Sequence, residues 1–220
     1  MGIFLRPIKV KICGITNIED ALVAADAGAD FLGFILYPPS KRAVDKETVK
    51  MITAELRRRT DCPVLVGVFV NETPEMIRAT LDECGLDVAQ LSGDEPVDVL
   101  TALGSRAYKG IRPRDVVEAT DLAFTYIVDP EMPLLVDAYH PTMYGGTGEK
   151  TDWQTAQLLA FDVPCFMLAG GLQPDNVIEA LNVVRPWAVD VASGVEREPG
   201  RKDHDKVRAF IDNVASVLEH

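Results

Sequence analysis

The sequence is short of cations, cysteine and aromatic residues. Lys and Arg total 22 against 34 Asp and Glu, a formal net charge of -12. That balance argues against nucleic acid as a partner, because binding a phosphate backbone needs a clustered basic surface. A small anionic ligand stays open, since a local field can oppose the net charge. The four cysteines, Cys13, Cys62, Cys84 and Cys165, include no CxxC pair, so neither a structural zinc site nor a disulfide framework is expected and the thiols read as reduced. His140 and His204 lack the paired His, Asp or Glu spacing of a metal site, and no metal is expected. No apolar run reaches the roughly 18–20 residues of a membrane span, and the first residues lack the apolar core of a signal peptide. The expectation is a protein of the cytoplasm with no membrane partner. What the chain does have is apolar material, 47% of 220 residues, enough for one core. Residues 1–220 therefore read as one domain.

Short apolar runs alternate with longer stretches of helical period, the pattern of repeated βα units. Strands are expected at Lys9–Cys13, Phe31–Leu36, Val64–Val70, Val88–Leu91, Ala107–Ile111, Leu134–Asp137, Cys165–Ala169 and Ala188–Ala192. Helices are expected between them. Thr16 and Glu19 have capping-box spacing before the first, Asp45 caps the second, and Thr73-Pro74 opens the third. Pro174–Val184 is expected as a helix, with Val177, Ile178, Leu181 and Val184 at helical spacing. Residues 112–133 are broken by the Asp129-Pro130 and Met132-Pro133 steps, so the fifth helix is expected to be reduced or irregular. Eight strand–helix units imply a single-domain (β/α)8 TIM barrel, an α/β fold whose chemistry sits at the strand C-termini.

Two strand ends carry reactive groups. Lys9–Cys13 delivers a thiol and Leu134–Asp137 a carboxyl, and in one barrel the two would face each other across its mouth. Taken alone, a cysteine at a strand end is more often a small buried hydrophobe, and Asp137 fits a turn cap equally well. Gly170-Gly171 after the seventh strand and Ser193-Gly194 after the eighth fall where barrels commonly bind phosphate. Glycine lets backbone amides approach the oxygens, and a helix N-terminus adds partial positive charge. Gly146-Thr147-Gly148 reads either as a lid over the same ligand or as a plain flexible loop.

Seven runs, in order, carry a resemblance that spans almost the whole chain. They are Lys11-Ile12-Cys13-Gly14, Gly67–Asn71, Gln90–Glu95, Leu135-Val136-Asp137-Ala138, Gly145–Gly148, Leu168–Leu172 and Asp190–Glu196. Together they are similar to the phosphoribosylanthranilate isomerases of tryptophan biosynthesis. The resemblance implies a cofactor-free Amadori rearrangement with Cys13 as general base and Asp137 as general acid. It implies a small phosphorylated substrate, Arg42 on the anthranilate carboxylate through its guanidinium fork, and Asp190 near the ribose or orienting the acid. Gln90, Gly148, Gly170, Gly171, Ser193 and Gly194 complete the implied binding set, in a monomer or homodimer. Family members usually carry histidine where this chain has Ser92, and an aromatic residue where it has Ala43.

Overall fold

The strands form at short, near-continuous apolar runs, as a parallel sheet covered on both faces requires, and the helices where apolar residues recur with a period near 3.6. A computed structural model describes residues 8–137 and 153–217. Its strands are β1 (Lys9–Cys13), β2 (Phe31–Ile35), β3 (Val64–Phe69), β4 (Val88–Leu91), β5 (Ala107–Ile111), β6 (Leu134–Val136), β7 (Phe166–Leu168) and β8 (Ala188–Val191). They pair in parallel in chain order, and β1 pairs with β8 to close the barrel. Around it lie α1 (Ile18–Asp26), α2 (Lys46–Leu56), α3 (Pro74–Cys84), α4 (Val97–Leu103), α5 (Val116–Tyr126), α6 (Trp153–Asp162), α7 (Pro174–Val184) and α8 (His204–Ser216). After β8 the chain forms an antiparallel hairpin, β9 (Glu196–Glu198) and β10 (Arg201–Lys202), which the sequence did not announce. Among the described residues no helix is long and apolar enough to cross a membrane.

Two local expectations are corrected. The first helix is capped one residue later than the capping box implied. Asn17 accepts from the Asp20 amide at 2.9 Å, while the Thr16 hydroxyl donates to the Gly200 carbonyl. A tertiary acceptor in the hairpin has taken the threonine away from its local role. The fifth helix is neither reduced nor irregular; at 11 residues it matches α2, α3 and α7 in length. Asp115 caps it by accepting from the Glu118 amide at 2.9 Å. Only Ala119 and Ala123 are buried, whereas Val117 and Phe124 are 68% and 78% exposed. Apolar residues on the wet face and small ones on the packed face erase the periodic signal. Ile178 is likewise exposed, and Ala180 takes the inward position on α7.

The core has two parts, separated by strand parity. Outward residues such as Ile12, Leu32, Phe34 and Leu65 pack under the helices, and inward ones such as Phe31, Val66, Val88, Leu135 and Met167 fill the lumen. One buried ion pair ties the strand ends to the helical ring. The Lys109 ammonium donates to the Gly93 carbonyl at 2.7 Å and pairs with Glu95, with both side chains at most 4% exposed. Glu95 also accepts from the amides of Asn71 and Gly93, and the Tyr126 ring centroid lies 5.1 Å from the ammonium. Lys109→Met leaves that carboxylate buried without its cation, so we expect a loss of about 3–5 kcal/mol, read as a lower urea midpoint. A change below about 1 kcal/mol would show the pair to be dispensable.

Candidate active site

Inward parity continues past the strand ends, and it decides which polar groups meet. On β1 it selects Lys11 and Cys13, on β4 Gln90 followed by Ser92, on β6 Leu135 followed by Asp137, and on β8 Asp190 followed by Ala192. Cys13, Gln90, Ser92, Asp137 and Asp190 line one cavity at the C-terminal mouth, and Arg42 closes one side of it. The thiol and the carboxyl that lie far apart in the chain thus share a chamber. Asp137 is anchored through its backbone amide, which donates to the Ile111 carbonyl at 3.0 Å. Ser92 accepts from the Gln90 side-chain amide at 2.9 Å. Gln90 in turn accepts from the Tyr108 hydroxyl at 2.9 Å.

Beneath the cavity sits a charge pair that the motif reading passed over. Strand register sets Lys11 beside Asp190, and the fully buried ammonium donates to the Asp190 carboxylate at 2.9 Å. Burial opposes the charge on Lys11, but Asp190 and the Cys13 sulfur outweigh it and hold the amine protonated. Burial pushes the Cys13 thiol up, and Lys11 and then Lys202 pull against that shift while Asp190 adds to it. Burial also pushes the Tyr108 hydroxyl up, so it stays a donor. Strand parity could have found Lys11, Tyr108 and the cavity-lining Arg112, since all three share the inward face of their strands.

Arg42 is held before any ligand arrives. Its Nε and Nη2 grip the Glu196 carboxylate at 2.8–3.0 Å, so the fork expected to meet a ligand carboxylate is occupied on that edge. Glu196 belongs to the β9–β10 hairpin, as does Lys202, whose ammonium donates to the carbonyls of Cys13 at 2.6 Å and Ala192 at 3.0 Å. The hairpin therefore fixes the backbone of Cys13 and the guanidinium plane of Arg42 together.

The two glycine turns lie against each other. Gly170 and Gly171 have φ of 90° and 64°, conformations that favour glycine. A Cβ on Gly194 would overlap the Leu172 carbonyl oxygen, so the turn after β8 packs directly on the turn after β7. These residues and Ser193 lie outside the wall that carries Cys13 and Asp137. Gly148 falls outside the described residues, as does His140. Among the described residues no cluster of His, Cys, Asp or Glu could hold a metal ion, and Cys62, Cys84 and Cys165 are unbridged and away from the cavity.

A closed (β/α)8 barrel with a thiol and a carboxyl in one chamber, beside paired glycine turns after β7 and β8, has the makeup of a barrel enzyme with its site at the strand C-termini. Residues 10–213 match the family model of N-(5'-phosphoribosyl)anthranilate isomerase. An isomerase of that name from Trichlorobacter lovleyi is 46% identical over 96% of this chain and all of its own length. Another, from Thermotoga maritima, is 42% identical over 96% of this chain and its full length. The crystal structure of phosphoribosyl anthranilate isomerase from Thermotoga maritima superposes with a TM-score of 0.85 at 38% identity, covering 95% of this chain and 99% of the other. A further isomerase structure, solved in complex with reduced 1-(o-carboxyphenylamino)-1-deoxyribulose 5-phosphate, gives a TM-score of 0.82 at 37% identity, covering 95% and 99%. This chain belongs to the N-(5'-phosphoribosyl)anthranilate isomerase family.

Proposed function

We propose that the chain isomerises N-(5'-phosphoribosyl)anthranilate to 1-(2-carboxyphenylamino)-1-deoxyribulose 5-phosphate in tryptophan biosynthesis, with Asp137 as acid and Cys13 as base. The observation that carries the reading is the shared cavity of Cys13 and Asp137. Asp137 gives its proton to the ribose ring oxygen as the C1'–O bond breaks, leaving an iminium at C1'. The Cys13 thiolate removes the C2' proton, whose electrons neutralise the iminium and leave an enolamine. The Cys13 thiol returns a proton to C1' and the 2'-hydroxyl proton passes to Asp137, which completes the ketose and restores both groups. C1' is reduced as C2' is oxidised, so the rearrangement is redox-neutral and calls for no external electron carrier. Arg42 and Asp190 face the anthranilate and ribose ends, with Gln90 on the wall between. The turns Gly170-Gly171 and Ser193-Gly194 take the phosphate.

The assay is the fall in anthranilate fluorescence as substrate is consumed by purified protein; loss no faster than the uncatalysed reaction would overturn the reading. Gly194→Ala tests the phosphate turns separately. Forcing them apart removes one or two charge-assisted hydrogen bonds of about 1.5–3 kcal/mol each, so KM should rise about tenfold or more with a smaller change in kcat. Inorganic phosphate should weaken as an inhibitor in parallel, and an unchanged KM would place the phosphate elsewhere. The isomerase of Thermotoga maritima is a dimer from which monomers have been generated, and on that precedent this chain is proposed to act as a monomer or homodimer, in the cytoplasm. Sedimentation of the purified protein distinguishes the two.

A further inference from the structure

Cys13 is almost wholly buried, at 5% exposed, and a buried thiol resists ionisation unless a cation stands beside it. Lys11 occupies that position. It lies two residues before Cys13 on the same strand and so points the same way into the lumen. Register sets Cys13 opposite Gly33, and the space above the Gly33 Cα is bounded by both groups. A Cβ built there would stand 2.8 Å from the Cys13 sulfur and 3.0 Å from the Lys11 ammonium. The missing side chain of Gly33 is what lets sulfur and ammonium approach one another. Asp190 accepts from the same ammonium at 2.9 Å.

We propose that Lys11 is a positioning residue that stabilises the Cys13 thiolate, that Asp190 anchors and partly offsets its charge, and that Gly33 keeps the space between them open. The groups facing Cys13 from each neighbouring element are consistent with this division of labour. Asp190 on β8 is a second negative charge, and Tyr108 on β5 is a neutral hydroxyl kept protonated. Lys202 on β10 directs its ammonium at the Cys13 carbonyl, and Arg42 is engaged by Glu196. Asp137, on the same wall, must carry the proton. Lys11 is thus the cation committed to the sulfur side of this residue. The inference rests on the proposed role of Cys13 only for its effect on turnover, not for its effect on ionisation.

The test is the pH dependence of iodoacetamide alkylation at the Cys13 peptide, followed by mass spectrometry so that Cys62, Cys84 and Cys165 are counted apart. With Lys11→Met the alkylation midpoint should move up by about one to three units, the range expected for loss of an adjacent opposite charge. The alkaline limb of kcat/KM should move up with it, and kcat/KM near neutrality should fall about tenfold for each unit. A merely structural lysine would move neither midpoint nor limb. Should the lone Asp190 carboxylate unfold that variant, Lys11→Met with Asp190→Asn removes the pair together, and its midpoint should still lie above wild type. A midpoint unchanged from wild type in the folded variant overturns the proposal. A shifted midpoint with an unshifted kcat/KM limb leaves Lys11 in its role and removes Cys13 as the base.

Discussion

Asp137→Asn should lower kcat by about 10²–10⁴, the usual size of a lost general acid, equivalent to roughly 3–5 kcal/mol of transition-state stabilisation. Asparagine keeps the shape of the side chain and still donates hydrogen bonds, but it has no proton to surrender to the ribose oxygen. The backbone anchor from the Asp137 amide to the Ile111 carbonyl is untouched by the change. Product affinity, measured by isothermal titration, should therefore stay within a fewfold of wild type. A variant turning over within about tenfold of wild type would remove Asp137 from the chemistry, whatever its place in the cavity.

A comparable loss is expected for Cys13→Ser, because a hydroxyl in this setting ionises far less readily than a thiol. The surrounding contacts survive the exchange: Lys202 binds the carbonyl of residue 13, not its side chain. An unchanged kcat would exclude the sulfur as base. The pH profile adds a second reading. The productive form of the pair carries its one proton on Asp137, whereas the competing form carries it on Cys13; their ratio is independent of pH, and the outer limbs follow the macroscopic titrations of the pair. A thiol is ordinarily the weaker acid, and burial pushes this one further up. The alkaline fall in kcat/KM should accordingly lie above the ordinary thiol range. A fall centred near neutrality would mean that some other group sets that limb.

The same geometry explains why the hairpin β9–β10 matters to a site it does not enter. Glu196 and Lys202 are 8% and 1% exposed, and a charge so buried is tolerated only when paired and hydrogen-bonded. They pair with each other at 3.2 Å, Glu196 also accepts from Arg42 and the Gly200 amide, and Lys202 donates to the Cys13 and Ala192 carbonyls. Three chain segments remote from one another are thereby locked at the rim, so a ligand meets groups already oriented.

Local patterns in the sequence determined the strands, most helix starts and the inward direction of Cys13 and Asp137, because period two, period 3.6 and side-chain caps act over a few residues. β1, β4, β5 and α7 occupy the ranges expected of them, and the glycine turns after β7 and β8 fall where the topology requires. Tertiary structure decided the rest. It diverted Thr16 to Gly200, completed α5 on two alanines, and brought Glu196 to the fork of Arg42. It also brought the Lys11 ammonium to Asp190, beside the space that it shares with the Cys13 sulfur. These outcomes depend on barrel closure, which brings β8 beside β1, and no short-range pattern encodes which buried charges will meet when distant strands become neighbours.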